Sequence, residues 1–207
     1  MTEPADPPRH LILVKHALPA IDAQVPAAGW PLSEEGREQC PVLARSLSPF
    51  AAGAALVSSE EPKAHETALL VGTALGLPVE TRPGLHEHDR SGVPFLGDGA
   101  WRAAIDRFFA EPDRLVFGRE TANEAATRFA RVVDGLLAEN LGRTLIVVAH
   151  GTVISLYVAA KTGLSAAGLW PHLGLPSFVV LDRPGMAINT IVERIGDGPA
   201  AEDIRAR

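Results

Sequence analysis

Two apolar runs in this chain close on a histidine. Residues 11–14 read Leu-Ile-Leu-Val and lead into Lys15-His16-Ala17, and residues 144–149 read Thr-Leu-Ile-Val-Val-Ala and lead into His150-Gly151-Thr152. Runs with no polar alternation predict strands covered on both faces, as in the interior of a parallel sheet. Ligands of such sheets gather beyond the carboxyl ends of the strands. Two imidazoles delivered to that edge by two strands can converge on one site.

The remaining pattern fills in an α/β chain. Ser33 followed by Glu34 and Glu35 is a helix start, with an N-cap hydroxyl and acidic residues in the first turn, and the helix runs to about Leu47. A short strand is predicted over 54–58. Ala64, Ala68, Val71 and Leu75 recur at helical spacing over 62–75, and Gly76 closes that helix. A brief strand at 79–81 leads into Leu85-His86-Glu87-His88-Asp89-Arg90. Residues 91–118 are rich in Gly, Pro and aromatics, with an amphipathic stretch at 101–109, and read as a lid or insertion. Its Phe95, Trp101, Arg102, Phe108, Phe109 and Arg114 either define a substrate pocket or pack one face of a helix. A helix over about 121–140, the second apolar strand, a helix over 151–162 and strands near 177–181 and 187–192 with a turn at 182–186 complete the pattern. The expected fold is a single α/β domain over 1–207, three-layered, with a mainly parallel central sheet and helices on both faces. Residues 1–9 and 196–207 read as loose ends.

Composition narrows the function. The 207 residues are 46% hydrophobic and 21% charged, with a formal net charge of −6, which speaks against non-specific nucleic-acid binding. Cys40 is the only cysteine, so no intrachain disulfide forms, and it reads as a packing residue. Residues 1–9 are Pro-rich and acidic, unlike a signal peptide, and no apolar run approaches the ~20 residues of a membrane span. A cytoplasmic protein with no membrane partner is the expectation; oligomeric state is not legible.

Five segments in order resemble the histidine phosphatase superfamily, the phosphoglycerate mutase-like proteins. The family's Arg-His-Gly after an apolar strand corresponds to Lys15-His16-Ala17, and its Leu-Thr-x-x-Gly-x-x-Gln to Leu32-Ser33-Glu34-Glu35-Gly36-Arg37-Glu38-Gln39. Its Ser-Ser-x-x-x-Arg-Ala-x-x-Thr-Ala corresponds to residues 58–68, with Lys63 at the arginine. Leu85-His86-Glu87 matches a Leu-x-Glu element, and Ala149-His150-Gly151-Thr152-Val153-Ile154 matches Ser-His-Gly-x-x-Ile. The resemblance implies a phosphomonoesterase in which His16 is the nucleophile, Glu87 the acid/base, and His150 a further catalytic and phosphate-binding group. Lys15, Lys63 and Gly151 fall at or beside phosphate-binding positions. It also implies a small phosphorylated substrate and no cofactor or metal.

The chemistry suits these residue types. An imidazole holding the phosphoryl group splits one difficult displacement into two, and its charged oxygens need cations and donors, to which backbone amides at the helix start near Gly151 can add. A carboxyl beside a phosphate dianion is expected to have a raised pKa, so that Glu87 starts protonated, and nearby cations to keep His16 neutral. Lysine at both motif arginines is a departure that composition does not explain, since only 3 of the 19 basic residues are lysines. Lysine lacks the planar bidentate fork. Ala17 replaces the motif glycine, Pro19 a common hydroxyl, and Asp22 a common asparagine; Arg37 or Arg90 can compensate for the lost forks. These departures keep two alternatives open: a phosphoglycerate mutase-type transfer, and a weakened member that binds phosphorylated ligands. His86, Glu87, His88 and Asp89 invite a metal reading, but on an extended segment His86 and His88 face opposite to Glu87. Ser58 and Ser59 read as a turn and cap.

Overall fold

A computed structural model describes residues 9–196; the expected loose ends, apart from residues 9 and 196, lie outside the described residues. Strands β1 (His10–Lys15), β2 (Ala55–Ser58), β3 (Val79–Thr81), β4 (Leu145–Ala149), β5 (Ser177–Asp182) and β6 (Ala187–Val192) form one sheet in the order β3-β2-β4-β1-β5-β6. The first four strands are parallel, and β5 runs antiparallel to both β1 and β6. The sheet is therefore mainly parallel, as expected, with its antiparallel part formed by the hairpin at 182–187.

Alternate positions of β1 face opposite ways, which builds two cores. Leu11 and Leu13 pack with Val147, Phe129, Val133, Ile154 and Tyr157 beneath helices α4 (Ala122–Glu139) and α5 (Gly151–Thr162). Ile12 and Val14 pack with Val148, Leu43, Leu47, Ala64 and Val71 beneath α1 (Glu34–Leu47) and α2 (Pro62–Leu75). Every residue of β4 is buried, which accounts for its unbroken apolar run. Cys40 is a buried packing residue within the second core.

The helix ends follow local chemistry. The Ser33 hydroxyl accepts the amide of Gly36, α2 ends on Gly76 at a φ of +67°, and Thr121 and Glu124 form a capping box that opens α4. Within 91–118, α3 (Asp98–Ala110) forms, and its buried face carries Ile105 and Phe108. The four-residue α6 (Ala166–Leu169), followed by a 3-10 turn at Trp170–His172, was not among the expected elements; Ser165 caps it. No helix among the described residues is long and apolar enough to cross a membrane.

Candidate active site

Because β1 and β4 are neighbours in parallel register, with Lys15 opposite Ala149, the residues just past their ends meet. The His16 and His150 rings stand edge to face with centroids 5.2 Å apart. His16 is 6% exposed and His150 is fully buried. Burial first, then the charges of neighbouring groups, Lys63 and Lys15 among them, hold His16 well below the usual histidine range, so the ring is neutral. Its Nδ1 lies 2.7 Å from the carbonyl of Ala17. A carbonyl only accepts, so the proton of the neutral ring sits on Nδ1 and the lone pair on Nε2.

The backbone behind His16 is clamped from both neighbouring helices. Its own amide donates to Ala149, and the Ala17 amide donates to Thr67 of α2. The Leu18 carbonyl accepts from the Ser33 hydroxyl and amide, and the Leu18 amide donates to Gln39 of α1. Gly36 faces that carbonyl so closely that an added Cβ would sit 2.1 Å from the oxygen. The Leu32–Gln39 motif thus fixes the loop that carries the imidazole, and Gly36 is required by the close approach.

His150 is held by Ser59, whose hydroxyl lies 2.9 Å from Nε2, while its buried Nδ1 has no partner among the described residues. Burial, and next to it the charge of Lys63, keeps this ring neutral as well. Ser59 is therefore a partner of His150; its hydroxyl also accepts the Glu61 amide at 3.3 Å in the turn before α2, while the N-cap residue itself, Glu61, makes no side-chain cap bond. Ser58 instead meets His65 at 3.3 Å.

Lys15 runs over Gly151, where an added Cβ would sit 3.1 Å from its Cε, and its ammonium donates to the carbonyl of Leu173 at 2.5 Å. Burial lowers its pKa from 10.5 to about 8, against the raising effect of Glu87. Lys63 is buried, donates to the Ala27 carbonyl at 2.8 Å, and forms an ion pair with Glu61. Glu61 also accepts the amide of Glu87 at 2.8 Å and comes within 3.7 Å of His150 Nε2. Sequence reasoning missed this carboxylate, which occupies an unspecified position of the motif; only its i−2 spacing from Lys63 hinted at a pair.

Glu87 is already held by donors in the free site. Its carboxylate accepts the amides of His88 and Thr152 at 2.9 and 3.2 Å and pairs with Arg90 at 3.2 Å. Burial pushes its pKa up, but the Arg90 guanidinium and the two amides outweigh that and leave it at about 2. The raised pKa expected beside a phosphate dianion concerns the occupied site; in the free site these donors hold the carboxyl low. Arg128 of α4 binds the carbonyls of Gly84, His86 and Glu87 and so fixes the loop beneath.

Of the two arginines considered as compensating cations, Arg90 reaches the site and stacks over Trp101 with its Cζ 4.3 Å from the ring centroid. Arg37 pairs with Glu66 on the surface. Asp22 is exposed and accepts the amide of Gln24. His88 turns into an aromatic cluster with Phe108 and Phe117, and its Nε2 meets the carbonyl of Glu120. His86 meets the carbonyl of Glu87. Among the described residues no group of three His, Cys, Asp or Glu side chains is placed to hold a metal. Of the insertion's candidates, Phe108 is core, Phe95 is exposed, Arg114 pairs with Glu111, and Trp101 and Arg102 lie toward the site.

Comparison with known proteins bears on this arrangement. The sequence model of the histidine phosphatase superfamily (branch 1) matches residues 11–189. The solved structure of a mycobacterial glucosyl-3-phosphoglycerate phosphatase is 26% identical, covering 84% of this chain and 90% of that one, with a TM-score of 0.69. A structure described as mycobacterial hydrolase 2 is 25% identical over 96% of this chain and 94% of that one, also at 0.69. A phosphoserine phosphatase mutant from Entamoeba histolytica shares the fold at 14% identity, with 89% and 96% coverage and a TM-score of 0.69. A search of curated proteins returns no match.

Proposed function

The chain belongs to branch 1 of the histidine phosphatase superfamily and is a phosphatase of phosphomonoesters, and from that premise we propose that it carries the phosphoryl group on His16 and acts on a small phosphorylated substrate. The observation that carries this reading is the tautomer of His16: Nδ1–H is engaged by Ala17, which leaves Nε2 as a buried, neutral nucleophile. Lys15, Lys63 and Arg90 supply positive charge around it. When the Ser59 hydroxyl donates to His150 Nε2, the unpartnered Nδ1–H of His150 is a donor for a phosphoryl oxygen. The amide at the start of α5 contributed by Gly151 adds to the cradle.

In the first step Nε2 of His16 forms a bond to phosphorus while the ester P–O bond breaks, and the departing oxygen takes a proton from Glu87. In the second, water attacks phosphorus, gives its proton to Glu87, and the N–P bond breaks. Glu87 thus serves in both protonation states. In the free site its donors favour the carboxylate, the form that accepts water's proton. The negative charge of an arriving phosphate pushes its pKa the other way, toward the form that donates. The mycobacterial glucosyl-3-phosphoglycerate phosphatase supports a phosphorylated metabolite as the substrate class.

The test is phosphate release from an aryl phosphate, with chelator present, by wild type and His16→Ala. Turnover that falls by at least ~10³-fold in the variant is expected of a lost nucleophile. Turnover retained within tenfold would remove His16 from the reaction.

A further inference from the structure

We propose that the substrate carries a second anionic group besides its phosphate, seated by Arg102 and Arg194 in the cleft beside Lys15; this rests on the phosphatase reading above. The cleft, about 310 Å³, is lined by Lys15, Glu35, Arg102, Trp170 and Arg194 among others. Three cations thus face one carboxylate, in a chain whose net charge is −6. A local excess of that sign within an acidic protein marks a place for an anion.

Two links join the cleft to the reacting groups. Lys15 belongs to both: its side chain runs over Gly151 beside His150 and also lines the cleft. The second link is a wall of rings. Arg90, paired with Glu87, stacks on Trp101; Trp101 lies 6.5 Å from Trp170; and Arg102 stands over Trp170 at 5.8 Å. A phosphate held at His16 therefore has a cationic cleft beside it, floored by an indole.

The two arginines are available. Among the described residues Arg194 has no carboxylate within ion-pair distance, and Arg102 has only a loose 3.6 Å contact with Asp106 on an exposed helix face. Lys15 does not fill this role alone, since its ammonium is already donated to Leu173 and belongs to the phosphate. Glu35 of α1, which also lines the cleft, repels an anion, so an anionic group is seated by the two arginines rather than at the start of α1. The shared chemistry is a carboxylate or a second phosphate.

Two matched pairs separate these sources. Phosphoglycolate is compared with 2-hydroxyethyl phosphate, and 1,3-propanediol bisphosphate with 3-hydroxypropyl phosphate. Binding is measured calorimetrically to the His16→Ala chain, which holds esters without turning them over, and kcat/KM is measured with wild type. One charge-assisted contact per arginine makes the anion-bearing member of at least one pair tenfold or more tighter. The pair that shows the gain identifies the group. Arg102→Gln/Arg194→Gln is expected to remove the gain, bringing the two members within about threefold. Equal affinity within both pairs, or a gain that survives the double substitution, would overturn the subsite. No binding of any ester, together with no aryl phosphate hydrolysis by wild type, would instead overturn the phosphatase reading beneath it.

Discussion

Burial takes the Lys15 ammonium from 10.5 down to about 8, and that change reaches the pH dependence of the reaction. Below pH 8 the ammonium is charged and attracts phosphate; as pH rises through 8 the charge is lost. The free-enzyme profile, kcat/KM, is expected to fall above pH 8 by up to about tenfold per pH unit, whereas Lys15→Arg, which stays protonated, keeps it level to beyond pH 9. Bound phosphate favours the ammonium, so the corresponding limb of kcat lies at higher pH. His16, held well below the usual histidine range by burial, contributes no acid limb within that range. A Lys15→Arg profile that falls at the same pH as wild type would place the titration elsewhere. Single residues also show what a motif leaves unsaid. His16, Glu87 and His150 were legible because their types and order match a family. Glu61 was not, since it stands at an unspecified position, and Arg90 could be named only as one of two candidates, because no local pattern encodes the path of its loop. The low pKa of Glu87 depends on both Arg90 and two backbone amides, so its sign was out of reach of the sequence.

Among the elements, α1 shows how a helix can serve chemistry it does not touch. Its N-cap and first two turns, through Ser33, Gly36 and Gln39, hold Leu18 and with it the loop that carries His16. Gly36→Ala is expected to destabilise the chain by about 1–3 kcal/mol, the usual cost of forcing a methyl group into a filled space, and to lower kcat at a temperature where the variant is still folded. Thermal unfolding together with kcat checks both. A variant with wild-type stability and activity would mean that the Leu18 carbonyl moves aside at no cost. Helices with strong end signals were legible to the residue: α2 between Pro62 and Gly76, and α5 between His150 and Gly163. The four-residue α6 was not, because one turn carries no periodicity, and its ends rest on Ser165 and on the Trp170 turn that follows.

At the scale of the molecule, the strand order does what no segment states. Placing β4 beside β1 joins residues 134 positions apart, and the crossovers through α1, α2 and α4 bring Lys63 and the Glu87 loop to the same edge. Fully apolar strands announced a buried parallel sheet, and the split of Leu11 and Leu13 from Ile12 and Val14 into two cores followed from period two. Which strands neighbour one another is not written in the pattern of any single segment. The resulting site is cationic but self-paired: Lys63 meets Glu61, and Arg90 meets Glu87, before any substrate arrives. In the proposed function His16 has one task, to hold the phosphoryl group between two displacements. The most direct test is to quench the enzyme with alkali during turnover of a ³²P-labelled aryl phosphate and map the label by peptide mass spectrometry. The account predicts phosphate on Nε2 of His16, formed and lost at rates compatible with kcat. Turnover with no label on His16, or label on His150 that forms at the rate of turnover, would contradict it.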